Sequence, residues 1–237
     1  MIIVTNWKMN PLTLKESERL LNFYKKVKNG FEIFVAPPSV FLSPLIKKYS
    51  KYFKFGAQNI YYEEKGAFTG EISAKMVKNI GCDFVIINHS ERRKLGENLE
   101  MANKKIKSAL KNNLNVFLCF GEEEFVNDKN KLKKIWEEQS KILLKDIPPK
   151  TKKIYFVYEP TWAISTQKFG PAPKDLVLYF LDWYKEKFNF KILYGGSIFP
   201  ETVKNYLDLG LDGFLIGSQS LIIKNFKKII DIIKYNG

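Results

Sequence analysis

The chain of 237 residues is predicted to fold as one α/β domain, residues 1–237: a (β/α)8 barrel of eight parallel strands surrounded by helices. Three observations carry that prediction. Short apolar, β-prone runs recur eight times, each is followed by a longer stretch of helical spacing, and no linker or low-complexity segment divides the chain. A closed barrel of this kind typically takes about 250 residues. The runs are continuously apolar rather than alternating, as parallel strands buried on both faces require.

Taken in order, the strands are expected at 2–5, 32–36, 54–58, 83–87, 115–120, 154–158, 191–194 and 213–216. Thr13-Leu14-Lys15-Glu16 reads as a capping box that opens the first helix, with Leu14, Leu21, Tyr24 and Val27 on one side. Leu99, Ala102, Ile106, Ala109 and Leu110 keep a three-four spacing. So do Leu132, Ile135, Trp136, Ile142 and Leu143, before Pro148-Pro149 closes that element. Phe226, Ile229, Ile230 and Ile233 line the last helix, and all of these stripes read as core. The alternative, an open doubly wound sheet, needs a glycine-rich dinucleotide turn after the first strand. Asn6-Trp7-Lys8-Met9-Asn10 is not one.

Hydrophobic residues at 45% and charged residues at 27% suit a globular protein. The apolar start Met1-Ile2-Ile3-Val4 ends at Thr5 without a basic region before it, so no signal peptide is expected. No apolar run approaches the roughly 20 residues of a membrane span. Cys82 and Cys119 cannot make a disulfide framework, which favours a reducing, cytoplasmic setting. One histidine and two cysteines leave little material for a transition-metal site, and none is expected. A net charge of +14 raises nucleic-acid binding, yet only three of the 39 basic residues are arginines, the forks that read base edges. The lysines are spread over predicted helix faces, as in Lys25-Lys26, Lys104-Lys105 and Lys227-Lys228. They read as solvated surface that favours an anionic small molecule, with neither nucleic acid nor membrane as partner.

In such a barrel the chemistry sits on the loops after the strands' C-terminal ends. Lys8, two residues past the first strand, projects an ammonium over the mouth; a solvated surface charge is the other reading of that segment. His89, the one histidine, ends the fourth strand and opens the polar run Asn88-His89-Ser90-Glu91-Arg92-Arg93. A neutral imidazole there can donate to a carbonyl, and a helix N-terminus behind it keeps it neutral. Glu159 is delivered to the rim by the sixth strand, where desolvation raises its basicity; a salt-bridged surface glutamate is the other reading. Gly195-Gly196-Ser197 and Gly217-Ser218 are glycine turns on the last two strands, each expected to enter a helix and aim N–H groups at one phosphate.

Together these segments resemble the triosephosphate isomerase family nearly end to end. The resemblance rests on Asn6-Trp7-Lys8-Met9-Asn10, Ala36-Pro37-Pro38, Gly56-Ala57-Gln58-Asn59, Gly66-Ala67-Phe68-Thr69-Gly70-Glu71-Ile72-Ser73, His89-Ser90-Glu91-Arg92-Arg93, Cys119-Phe120-Gly121-Glu122, Tyr158-Glu159-Pro160-Thr161-Trp162-Ala163-Ile164, Tyr194-Gly195-Gly196-Ser197 and Asp212-Gly213-Phe214. It implies interconversion of dihydroxyacetone phosphate and D-glyceraldehyde 3-phosphate through an enediolate, in glycolysis and gluconeogenesis, without metal, nicotinamide or flavin. Glu159 would be the base and neutral His89 the electrophile. Lys8 would supply positive charge near the substrate oxygens, with Asn6 helping to position it and Glu91 supporting from behind. Gly195, Gly196, Ser197, Gly217, Ser218 and Ser165 would bind the phosphate. The lid would comprise Pro160, Thr161, Trp162, Ala163, Ile164, Ser165, Thr166 and Gln167, with Trp162 meeting Glu122. The loop 61–73 would dock into a second copy in a homodimer, Thr69 reaching the other site and Glu71 meeting Arg92.

Ser165, Gln167 and Ser218 stand where the family usually has glycine, as does Asn88 before the histidine, and the helix before strand seven reads as shorter than usual. Other readings stay open at this point. They are a different phosphate-binding barrel, such as a sugar-phosphate isomerase or indole-type synthase, and a basic barrel serving as a nucleic-acid platform.

Overall fold

A computed structural model describes residues 1–28, 30–164 and 170–236. Strands β1 (Ile2–Asn6), β2 (Glu32–Ala36), β3 (Lys54–Ala57), β4 (Phe84–Ile87), β5 (Asn115–Phe120), β6 (Ile154–Tyr158), β7 (Lys191–Tyr194) and β8 (Gly213–Ile216) follow one another around a closed barrel. Every pairing is parallel, and β8 returns to β1.

Three predicted strand ends move by one residue, each for a local reason. β1 runs on to Asn6, which pairs with Ala36. β3 stops before Gln58, whose side-chain amide donates to the carbonyls of Lys8 and Ala36 at 2.8 and 2.9 Å. β4 begins after Asp83, whose carboxylate accepts from the Phe55 N–H at 3.1 Å.

The helices are α1 (Leu14–Val27), α2 (Leu42–Tyr49), α3 (Ala74–Asn79), α4 (Ser90–Lys94), α5 (Leu99–Lys111), α6 (Lys129–Leu143), α7 (Lys174–Lys187) and α8 (Ile223–Asn236). The Thr13–Glu16 capping box forms, and α1 buries Leu21, Tyr24 and Val27 against the barrel with Leu14 at its margin. The shortening expected before strand seven is absent, since α7 has 14 residues. The reduced unit comes next: β7 and β8 are joined through a 3-10 turn, Val203–Tyr206, rather than an α-helix. Two features favour the tighter winding. β-branched Thr202 and Val203 are weak helix formers, and the Thr202 hydroxyl accepts locally from the Phe199 N–H at 3.1 Å.

Alternate residues of each strand face opposite ways. Ile2, Val4, Phe34, Ala36, Phe84, Ile86, Phe117, Cys119, Val157, Leu193 and Leu215 point inward and form one cluster. Ile3, Ile33, Val35, Val85, Ile87, Val116 and Leu118 point outward into the larger layer beneath the helices. The rings of Phe34, Phe84 and Phe117 meet edge to face, with centroids 5.2–5.4 Å apart. Gly56 leaves the space that the Phe84 ring fills. The interior is therefore packed, and only the rim is open for chemistry. Cys82 and Cys119 are free and buried, and burial above all pushes the Cys82 thiol up to about 12.

Candidate active site

The strand ends bring the sequence-selected residues together at one rim. Lys8 follows β1 in the left-handed backbone region, at φ 55°. A side chain there is strained and persists when its surroundings over-determine it. Both sides of the turn are held: the Asn6 side-chain oxygen accepts from the Lys8 N–H at 3.0 Å, and Gln58 donates to the Lys8 carbonyl. Asn6 therefore acts by shaping the turn that aims the lysine.

The Lys8 ammonium meets Glu91 Oε1 at 2.6 Å. Partial burial opposes charge on Glu91, but the hydrogen bond from Lys8 outweighs it and holds the carboxyl below its usual range. Asn88 lies at φ 62°, which explains an asparagine where the family commonly has glycine, since asparagine tolerates this region. Its side-chain amide donates to the Cys119 carbonyl at 2.8 Å and ties the end of β4 to β5.

His89 caps α4, and its Nδ1 accepts from the Glu91 N–H at 3.2 Å. An Nδ1 that accepts carries no proton, so the ring proton of the neutral imidazole lies on Nε2. Nε2 is 3.1 Å from Glu159 Oε1. The Glu159 carboxylate, 2% exposed as a residue, also accepts from the Ser90 N–H at 3.0 Å and the Ser90 hydroxyl at 3.1 Å. Ser90 stands inside the polar run singled out from the sequence and was given no role there. Its pairing depends on a carboxylate 69 residues away, which local reading does not supply.

Lys8, His89, Glu159, Ile164, Gly195, Gly196, Ser197, Gly217 and Ser218 line one cleft, with about 380 Å³ of space including its open mouth. A side chain at Gly196 would strike the Tyr194 hydroxyl, and one at Gly195 would strike Val157. Glycine is thus required for the backbone to pass here. Three expectations about the cradle need correction. The Gly195 N–H continues the sheet, donating to the Tyr158 carbonyl at 2.8 Å. The Ser197 N–H and hydroxyl both go to the Ala163 carbonyl, at 3.2 and 2.7 Å, because the adjacent loop start supplies that acceptor. Neither glycine turn runs straight into an α-helix: Gly217 leads into the 3-10 turn Ser218–Ser220, and Ser197 precedes the reduced unit described above.

Pro160, Thr161, Trp162, Ala163 and Ile164 are buried against the barrel rim, with Thr161–Ala163 in a 3-10 turn. The Trp162 indole donates to Glu122 Oε1 at 2.9 Å, as expected. Two further donors reach this buried carboxylate, the Trp136 indole at 3.0 Å and the Tyr158 hydroxyl at 3.2 Å. Ser165, Thr166 and Gln167 lie outside the described residues. Thr69 and Glu71 are exposed in a loop whose ends meet where the Tyr61 N–H donates to the Ile72 carbonyl at 2.8 Å. Arg92 faces Glu97 within its own chain, at 3.5 Å. Among the described residues no group of three or more histidine, cysteine and acidic side chains could hold a metal ion, and no helix is long and apolar enough to cross a membrane.

Comparison with known proteins agrees with this geometry. The family model described as triosephosphate isomerase matches residues 1–233. Relatives named triosephosphate isomerase include one from Aquifex aeolicus, 39% identical over 97% of this chain and 98% of its own length. One from Finegoldia magna is 36% identical over 97% of both chains, and one from Natranaerobius thermophilus is 33% identical over 98% of this chain and 96% of its own. The barrel, the rim residues and these matches together show that the chain belongs to the triosephosphate isomerase family.

Proposed function

We propose that this chain interconverts dihydroxyacetone phosphate and D-glyceraldehyde 3-phosphate, with Glu159 as base and neutral His89 as electrophile. The observation that carries the reading is the approach of Glu159 Oε1 to His89 Nε2, 3.1 Å, in a cleft also lined by Lys8 and both glycine turns. In the forward direction Glu159 turns from Ser90 and takes a proton from the hydroxyl-bearing carbon. The electron pair passes to the carbonyl oxygen, which receives the His89 Nε2 proton. The imidazole then takes the proton of the neighbouring hydroxyl, and Glu159 returns its own proton to the adjacent carbon. Protons and electrons balance, so the reaction calls for no cofactor.

Lys8 stabilises the negative oxygens as charge develops there. The phosphate is held by Gly195, Gly196, Ser197, Gly217 and Ser218, with Ser165. Ser197 serves once the Ala163 carbonyl has moved off it, which couples phosphate binding to movement of the loop that begins at Pro160. Trp162 on Glu122 holds the start of that loop. The exposed residues Met9, Phe68 and Met76 support docking of a second copy, with Thr69 near the partner's site and Glu71 facing Arg92 across the interface. The setting is cytoplasmic glycolysis and gluconeogenesis. A coupled assay on D-glyceraldehyde 3-phosphate, with phosphoglycolate as competitor, tests the reading. Turnover that phosphoglycolate suppresses is expected. No turnover, or salt-sensitive nucleic-acid binding in its place, overturns it.

A further inference from the structure

The polar run that holds His89 contains one buried cation to which the chemistry above gives no role. The Arg93 side chain is 7% exposed, and its planar fork spans two strands. Nη1 donates to the Asn88 carbonyl at 2.9 Å, and Nη2 donates to the Thr161 hydroxyl at 2.7 Å. Nε completes the set with Glu123, at 3.1 Å. Asn88 is the residue before His89, and Thr161 lies two residues after Glu159. A rigid guanidinium holding both acceptors at once fixes the separation of the backbones that carry the two groups.

Other contacts do not perform the same task. The Glu159 and Thr161 N–H groups donate to the carbonyls of Phe120 and Glu122, at 2.7 and 2.9 Å, so these bonds tie the segment to β5 and the loop after it. Ser90 reaches across from α4, but only to the Glu159 carboxylate, which must leave it to reach a substrate carbon. The Arg93 link makes no use of that carboxylate and survives the turn.

We propose that Arg93, acting through the Thr161 hydroxyl, is a positioning residue that sets the spacing between His89 and the backbone carrying Glu159 during turnover. The inference rests on the isomerase reading. A misplacement of about 1 Å between reacting groups costs up to about a hundredfold in rate.

The test is Thr161→Val, which removes the acceptor, keeps the shape and leaves the Thr161 N–H bond in place, assayed beside Thr161→Ser. Thr161→Val is expected to lower kcat at least about fivefold with KM within about twofold, and Thr161→Ser to restore kcat. Competition by inorganic phosphate, which uses the cradle and not the base, stays unchanged. Arg93→Lys keeps the charge but cannot span both acceptors, and it must show the same loss of kcat; it decides the matter should Thr161→Val fail to fold. The inference is overturned by an unaltered kcat, by a raised KM at constant kcat, by phosphate affinity falling in step with kcat, or by Thr161→Ser as impaired as Thr161→Val. No isomerisation by the unaltered chain overturns the isomerase reading itself, whereas normal isomerisation with an unmoved variant overturns the Arg93 link alone.

Discussion

Replacing Glu122 by glutamine tests whether a single buried carboxylate holds the rim together. Oε1 accepts from Trp162 at 2.9 Å and from Tyr158 at 3.2 Å; Oε2 accepts from Trp136 at 3.0 Å. Glutamine has nearly the same shape, but one of its two heads is an NH2 donor. Whichever way the amide turns, that donor faces an indole N–H, at Trp162 or at Trp136. One charge-assisted hydrogen bond is lost and a buried N–H is left unpaired, at a cost of about 2–3 kcal/mol. For a domain of this size each kcal/mol moves Tm by about 2–4 °C, so Tm falls by roughly 4–12 °C. Tyr158 remains a donor, because burial first and the neighbouring carboxylate second push its hydroxyl well above the usual range. The assay is urea unfolding followed by tryptophan fluorescence at matched protein concentration, since assembly shifts apparent stability. A change below about 0.5 kcal/mol, the scatter of ordinary surface substitutions, would refute the three-donor account of Glu122.

Two further outcomes follow from the packing and the charge pairs. Phe117→Ala empties the centre of the ring trio inside the barrel and is expected to cost about 3–5 kcal/mol in urea unfolding. Glu91→Gln removes the partner of Lys8 at 2.6 Å, and because both side chains are partly exposed the stability loss at neutral pH stays below about 1 kcal/mol. The folded Glu91 carboxyl sits below its ordinary value. Its contribution is therefore present above the unfolded value near 4.3 and is lost as pH falls through the lower folded one. Melting curves of the two proteins should differ at pH 7 and converge in acid, and a gap that widens in acid would reverse the sign.

Much of this molecule is legible in its sequence, for physical reasons that also mark where legibility stops. The strands can be read because burial on both faces makes them continuously apolar, and the two glycine turns because no side chain fits at Gly195 or Gly196. Strand ends slip at Asn6, Gln58 and Asp83, where a polar side chain joins or leaves the ladder through a partner distant in the chain. The reduced unit between β7 and β8 is concealed because its turn depends partly on Tyr206, whose hydroxyl reaches the Ala172 carbonyl at 2.7 Å. In the site, Lys8, His89 and Glu159 stand out as chemistry at strand ends. Ser90, Arg93 and the commitment of Ser197 to Ala163 do not, because each is defined by a contact across the barrel rim.

The central claim is that Glu159 moves a carbon-bound proton through an enediolate, and the most direct measurement is nuclear magnetic resonance of the isomerisation product formed in D2O. The unaltered chain is expected to deliver product carrying solvent deuterium on the carbon that receives the proton. Glu159→Gln, still folded, is expected to lose that incorporation and turnover together by at least about a hundredfold, the lower range for a general base. Product formed without solvent deuterium, or exchange by Glu159→Gln at the unaltered rate, would contradict the claim.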